Sequence, residues 1–215
     1  MRPLIIMNGE KIDWFHTVIR MLMYLAGVAV LALGMSLQTA SGLGVAALTC
    51  FATTLSMLTG KTLGFWITAT YVAYIVAQFT ILRREFQPRI LLELCFSTLI
   101  GGFTDFFMAV NPLHPAALPI QVETMLLSLA VTAFGVSLVV NMGVVPNAPD
   151  GLVQVIAEKI KRRFGDVKVV FDCSHVAVSL VLSLALMHNL GGFGVTTAIS
   201  ALFLGHVINI ANKLF

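Results

Sequence analysis

Asp172 and His175 lie three residues apart within an apolar stretch of the sequence. At this spacing the two side chains share one face of a helix, and Ser179 and Ser183 continue that face. A carboxylate beside an imidazole can bind and release a proton near neutral pH, because each group changes the proton affinity of the other. The pair is therefore a candidate for solute binding or proton coupling. The alternative is a structural role, in which Asp172 caps its helix and His175 bonds the neighbouring backbone.

Two more sets of polar residues are candidates for the same site. His206 and Asn209 repeat the three-residue spacing in the last apolar stretch, although each could simply form a hydrogen bond between helices. Asn147 and Asp150 stand at the start of a short predicted helix, where the amino end attracts anionic groups. We expect these residues to surround a binding site for a small polar solute, with His206 and Asn209 along its approach.

Thr49, Thr53 and Ser56 follow helical spacing and form a stripe of hydroxyl groups. Such a stripe could coordinate a sodium ion together with backbone carbonyls that a helix break leaves free. Small hydroxyl residues also allow helices to pack closely, which is the structural alternative. Thr49 and Thr53 are therefore candidates for substrate binding or ion coupling.

The sequence contains no pattern typical of catalysis or of a bound cofactor. No GxxxxGK[ST] phosphate-binding loop is present, because Gly60-Lys61-Thr62 lacks the earlier glycine. No HExxH run is present, and no nucleophile has a plausible His and Asp set. Cys50, Cys95 and Cys173 stand singly, without the paired spacing of a zinc or redox site. We therefore predict that the chain is not an enzyme and uses neither a metal nor a cofactor.

The composition of the chain indicates the kind of fold that positions these residues. The chain has 215 residues, of which 58% are hydrophobic and 11% charged, and its mean hydropathy is +0.95. Six apolar runs are about long enough to cross a bilayer: roughly 21–40, 62–82, 90–110, 122–141, 167–187 and 193–212. They do not alternate as strands of a membrane barrel do. The sequence thus predicts an all-α membrane protein with six transmembrane helices.

The sequence repeats itself. "GMSLQTASGLG" from Gly34 and "GVSLVVNMG" from Gly135 begin alike at an offset of 101 residues. With four extra residues in the second copy, the match continues from Gly60 on Gly165. Because the first run recurs inside the chain, we do not interpret it as a secretory signal. Each copy contains one span, a glycine-rich break, a short helix and two further spans. The short helices are predicted at 43–59 and 151–164.

The basic residues predict the orientation, because short cytoplasmic loops collect Lys and Arg. With both termini cytoplasmic, only Lys61 lies outside. The residues then inside are Arg2, Lys11, Arg20, Arg83, Arg84, Arg89, Lys159, Lys161, Arg162, Arg163, Lys168 and Lys213. This requires each short helix to be re-entrant or interfacial, and three crossings per copy make the repeats inverted. The predicted units are a first repeat at 1–110, an external linker at 111–120 and a second repeat at 121–215. The net charge of +3 follows from the loops and indicates no nucleic-acid partner.

Three glycine-rich segments resemble the YitT/YczE group of bacterial multi-pass membrane proteins. They are "GLGVAALTCFATTLSMLTGKTLGFW", "GVVPNAPDGLVQVIAEK" and "GGFGVTTAISALFLGH". Members often have a Pro and an Asp after the first break, where this chain has Ala46, Ala47 and Leu48; the second copy keeps Pro149 and Asp150. The resemblance implies a bacterial inner (plasma) membrane location and a transport role without an established substrate.

Together these features predict a secondary transporter or facilitator of a small polar solute, including anionic ones. It would be ion- or proton-coupled, with alternating access between the inverted repeats. Its expected partners are the lipid bilayer, the solute and a second copy, since a homodimer would help to shield the pathway. The alternative is a non-transporting scaffold or accessory protein that binds a partner or anionic lipid.

Overall fold

A computed structural model describes residues 7–8, 11–12, 14–83, 88–111, 113, 115–145, 147–188 and 192–200. Helices dominate this part of the chain. A short antiparallel ladder pairs Met7–Asn8 with Lys11–Ile12, and a 3-10 turn at Pro88–Leu91 leads into the fourth helix. The α-helices are α1 (Trp14–Ser41), α2 (Ala47–Thr59), α3 (Leu63–Leu82), α4 (Leu92–Val110), α5 (Leu118–Met142), α6 (Ala148–Ile160) and α7 (Phe164–Leu182).

Five of these helices are long and apolar enough to cross a membrane: α1, α3, α4, α5 and α7 with its π-helical extension Ser183–Met187. The prediction of an all-α, multi-pass membrane protein is confirmed at this level. A further helix starts at Val195 and continues to Ser200, within the sixth predicted run. The remainder of that run lies outside the described residues, and so do the candidates His206 and Asn209.

The helices α1 and α5 cross closely through glycine. A methyl group added at Gly34 would lie 2.8 Å from the backbone nitrogen of Thr132, and one at Gly135 would lie 2.5 Å from that of Leu31. Small residues let two helix backbones approach in this way. The two contacts are also reciprocal, because Leu31 and Thr132 are 101 residues apart, as Gly34 and Gly135 are. This crossing forms the centre of the fold.

The short helices α2 and α6 lie at opposite ends of the bundle. At the start of α1, the Arg20 guanidinium donates to the carbonyls of Met142 and Gly143 at the end of α5, so α1 and α5 are antiparallel. Because α2 follows the end of α1 and α6 follows the end of α5, the two breaks are at opposite ends. We refer to these as the α2 end and the α6 end.

The two halves of the chain interlock. α2 packs against α7, where the Ser179 hydroxyl bonds Cys50 Sγ at 3.1 Å and Thr54 Oγ1 at 2.7 Å. In the same manner α6 packs against α3, where Gln78 Nε2 donates to the Ala148 carbonyl at 3.3 Å. Each short helix is thus held by a long helix of the other half.

Three of the four limits of the short helices differ from the prediction, and α2 ends at Thr59 as predicted. α2 starts at Ala47 rather than at 43, because Gly42 and Gly44 have φ of 70° and 100° and cannot continue a helix. α6 starts at Ala148 rather than at 151, because proline is accepted in a first turn, where its missing N–H is not needed. It ends before Lys161, which takes a left-handed φ of 54°, and not at 164.

The prediction of four extra residues in the second copy, which aligned Gly60 with Gly165, is wrong. Ala47 and Ala148 start α2 and α6, and Leu63 and Phe164 start α3 and α7, so the offset stays at 101 residues.

Candidate functional site

A cavity of about 800 Å³ lies between α1 and α5 and reaches the amino ends of both short helices. The first turns of α2 and α6 and the start of α7 complete its wall. Both short helices bury their amino-terminal half and expose their carboxy-terminal end, where Met57 and Ile160 are 50% and 55% exposed. The amino ends of both short helices are therefore buried in the protein.

At the α2 end, Gln38 fixes the helix break. Its side chain is fully buried; its amide donates to Thr132 Oγ1 at 3.2 Å and its carbonyl accepts from the Ala46 N–H at 2.9 Å. The Thr49 hydroxyl donates back to the Ala46 carbonyl at 3.0 Å and lines the cavity. A side chain of α1 thereby satisfies one backbone group that the break leaves without a helical partner.

At the α6 end, three charged side chains meet. Lys168 Nζ lies 3.0 Å from Asp150 Oδ1 and 3.0 Å from Asp172 Oδ1, and all three residues line the cavity. Their side chains are between 22% and 34% exposed. With both carboxylates ionised and the lysine protonated, this triad carries one net negative charge. Asp150 lies in the first turn of α6, so the positive end of the helix dipole faces the same group.

Asp172 and His175 are not joined by a hydrogen bond. The described partner of Asp172 is Lys168, one turn earlier on the same helix. His175 Nδ1 lies 2.8 Å from the Phe171 carbonyl, and its Nε2 lies 2.5 Å from the Tyr74 hydroxyl. Because a carbonyl only accepts, Nδ1 carries a hydrogen, and in the neutral ring the tyrosine donates to Nε2. Asp172 and His175 therefore have different hydrogen-bond and ion-pair partners.

The other candidates divide between the cavity and the packing around it. Asn147, Asp150 and Thr49 line the cavity together with Asp172. Thr53 is 3% exposed and donates to the Thr49 carbonyl at 2.9 Å, so its hydroxyl is satisfied within its own helix. The structure therefore brings together four of the predicted site residues.

The cavity wall contains pairs of residues that are 101 positions apart. One member of each pair comes from each half of the chain, so the cavity lies where the two halves meet. These pairs are Leu31 and Thr132, Met35 and Val136, Gln38 and Val139, Ala46 and Asn147, Thr49 and Asp150, and Tyr71 and Asp172.

The two ends of the cavity differ. At the α6 end it extends to Val140, Gln154 and Val169, of which the two valines are 57% and 63% exposed. The residues 101 positions earlier, Thr39, Thr53 and Thr68, do not line it. The cavity therefore extends further at the α6 end than at the α2 end.

Backbone contacts close the α2 end. The Val45 N–H donates to the Gly192 carbonyl at 3.1 Å, and the Thr196 N–H donates to the Leu43 carbonyl at 3.0 Å. The Thr197 hydroxyl adds a third bond, to the Val45 carbonyl at 2.7 Å. These bonds join the first break to Gly192 and to the first turn of the last described helix.

The sequence was compared with known families, curated proteins and solved structures. Residues 18–213 match a family described as "Family of unknown function (DUF6198)". The chain belongs to the DUF6198 family. No curated protein matches it, and no solved structure does.

In this DUF6198 protein, several site residues were not singled out from the sequence. Lys168 was counted among the cytoplasmic loop charges, although its spacing of four from Asp172 is a signal for an ion pair. Gln38 is an amide inside an apolar run, which is a general signal for a polar contact between helices. Tyr71 gave no signal, because tyrosine is common in membrane helices near the interface.

Proposed function

We propose that this protein is a secondary transporter or facilitator of a small polar solute, which binds in the cavity beside Asp150, Lys168 and Asp172. The observation that carries the proposal is this charged triad at the amino end of a broken helix, inside a bundle of apolar helices. Charged side chains within a membrane are costly and usually mark a substrate or ion pathway. A volume of about 800 Å³ is ample for a small solute.

The proposal includes six spans in two inverted repeats, with both termini in the cytoplasm of a bacterial cell. It is supported by the antiparallel crossing of α1 and α5, by the short helices at opposite ends, and by the cavity pairs 101 residues apart. The turn between α6 and α7 is exposed and contains Lys161, Arg162 and Arg163, which suits a cytoplasmic α6 end. The resemblance to the YitT/YczE group agrees with this arrangement.

Alternating access follows from the difference between the two ends. On this proposal the cavity opens at the α6 end, where it extends further, and is closed at the α2 end by the bonds of Val45 and Leu43. With inverted repeats, exchanging the conformations of the two halves produces the opposite state. Thr53 would then line an outer opening, as Gln154 lines the inner one here.

Transport is tested by charge movement. Purified protein in liposomes on a solid-supported membrane would receive amino acids, carboxylates and amines in turn. We expect a current with at least one class for the wild type and for Asp166→Asn, an exposed carboxylate at the start of α7, and none for Asp172→Asn. Folded protein that gives no current with any class, or an equal current for Asp172→Asn, would contradict the proposal.

The opening is tested by labelling cysteines with a membrane-impermeant maleimide. Gln154→Cys and Thr53→Cys are matched positions, made in a protein whose exposed Cys95 and Cys173 are replaced by serine. We expect Gln154→Cys to react from the cytoplasmic side and Thr53→Cys to react more slowly, from the outside only. Labelling of both positions from one side would argue against alternating access.

A second candidate function is that of a membrane scaffold. It is favoured by the exposed basic turn, where Lys159, Lys161, Arg162 and Arg163 are flanked by the exposed Ile160 and Phe164. Basic and apolar groups side by side are suited to anionic lipid. If the protein is a scaffold, replacing Arg162 and Arg163 by glutamine would abolish its binding to anionic lipid, whereas Asp172→Asn would leave this binding unchanged.

A further inference from the structure

Glu93 is a buried carboxylate near the start of α4, outside the charged triad. Its residue is 2% exposed, and its Oε2 accepts from Gln78 Nε2 at 2.8 Å. Its Oε1 lies against the first turn of α6: a methyl group added at Gly151 would be 2.8 Å from that oxygen. The Gln78 amide also donates to the Ala148 carbonyl at the start of α6. Glu93 thus lies against α6 and also accepts a hydrogen bond from Gln78, whose amide donates to the start of α6.

The groups around Glu93 do not provide it with a cation of its own. No lysine or arginine of the described chain forms an ion pair with it. On α1 it faces the Tyr24 phenol, while the Arg20 guanidinium there donates to carbonyls at the end of α5. On α3 it faces the neutral Gln78, and on α6 it interacts with Asp150, which is already bound to Lys168. An ionised Glu93 therefore depends on hydrogen bonds and on the positive amino end of α6.

We propose that Glu93 is the proton-binding site of this protein, and that proton binding there loosens α6 from α3 and α4. One part of this inference rests on the proposed transport function: if the protein is a transporter, the proton bound at Glu93 is its coupling ion. A proton from water adds to a carboxylate oxygen, and no other covalent bond changes. The neutral carboxyl loses its attraction to the amino end of α6. Because Asp150 and Gln154 are on α6 and line the cavity, the loosened helix changes the opening at that end.

Infrared difference spectroscopy tests proton binding directly. The protein in lipid nanodiscs would be stepped between about pH 8 and about pH 5, and the carboxylic acid C=O band would be recorded. We expect Glu93→Gln to lose one component of this band and Glu123→Gln, an exposed carboxylate on α5, to keep it. A pH difference spectrum that Glu93→Gln leaves unchanged in the carboxylic acid region would overturn the proposal.

The movement of α6 is tested through the labelling rate of Gln154→Cys. The rate should rise as the pH falls, by up to about tenfold per pH unit, which is the limit for one proton. In Glu93→Gln it should stay at the fast rate at every pH, since glutamine imitates the neutral carboxyl. Gly151→Ala should also be fast and independent of pH, because its methyl group displaces the Glu93 carboxylate. If Glu93→Gln keeps the pH dependence of the wild type, Glu93 is not the site.

These two measurements need no solute, and this separates them from the transport test. If the proton signal depends on Glu93 but the protein gives no solute current, Glu93 remains the proton-binding site and the transport proposal is wrong. A solute current with the same pH dependence in Glu93→Gln as in the wild type would retain transport and overturn the role of Glu93.

Discussion

The substitution Asp172→Asn should destabilise the wild-type protein but stabilise the variant Lys168→Met. In the wild type, Asp172 Oδ1 lies 3.0 Å from the lysine ammonium, and Asp150 Oδ1 lies at the same distance. The two carboxylate oxygens are therefore at most about 6 Å apart, twice the separation of each from Nζ, within reach of strong mutual repulsion. The sign of the effect of Asp172→Asn depends on whether the lysine is present.

The magnitudes follow from these distances. At an effective dielectric constant of about 20, the attraction between Lys168 and Asp172 is about 5 kcal/mol and the repulsion between the two aspartates is about 3 kcal/mol. The side chains are 22–34% exposed, so solvent screening reduces both values considerably. We expect Asp172→Asn to lower the free energy of unfolding of the wild type by about 1–2 kcal/mol and to raise that of Lys168→Met by a similar amount.

The free energy of unfolding would be measured by titrating SDS into mixed micelles and following the fluorescence of Trp14 and Trp66. Asp166→Asn in both backgrounds is the matched control, because Asp166 is an exposed carboxylate on the same helix. An effect of Asp172→Asn that has the same sign in both backgrounds, and agrees within about 0.5 kcal/mol, would refute the ion triad.

Two further predictions concern the packing of the long helices. Gly34→Ala and Gly135→Ala should each lower stability by about 1–3 kcal/mol through overpacking, whereas Gly102→Ala, with no atom within 4 Å of the added methyl group, should not. Thermal unfolding followed by size-exclusion chromatography checks this, and equal midpoints for the three variants would contradict the close crossing. Asp105 Oδ1 accepts from the Gly64 N–H at 2.7 Å at the start of α3. Asp105→Ala should therefore cost about 1–3 kcal/mol, and Asp105→Asn, which retains an acceptor, should cost less in the same assay.

The long helices were predictable because a membrane span is a continuous apolar run that leaves the chain few alternatives. The run at 62–82 became α3, Leu63–Leu82, with a difference of one residue. The short helices were less predictable, since their limits depend on local backbone geometry. Gly44 delays α2, and Lys161 ends α6 in a conformation that lysine rarely adopts.

The candidate site was predictable as a set of residues but not as a set of contacts. Asp172 was identified because an acid in an apolar run is rare. Its partner was missed because Lys168 was counted with the loop charges, although the predicted run 167–187 already placed it one turn before Asp172. Glu93 is buried although it stands in the first turn of a span, because α6 and α3 cover it. Such burial depends on which helices pack together, and one sequence does not contain that information.

The hydrogen bond between Tyr74 and His175 has a consequence for how the chain arose. These residues are 101 positions apart, the offset that relates the two halves at their start, and they bond to each other across the halves. In a dimer of two identical ancestral halves, this position would face its own copy, and both partners would be the same amino acid. A tyrosine that donates to a histidine requires the two copies to carry different residues. On the proposal that the two halves are inverted repeats, duplication and fusion into one chain would make that difference possible, and a homodimer of identical halves could not form this bond.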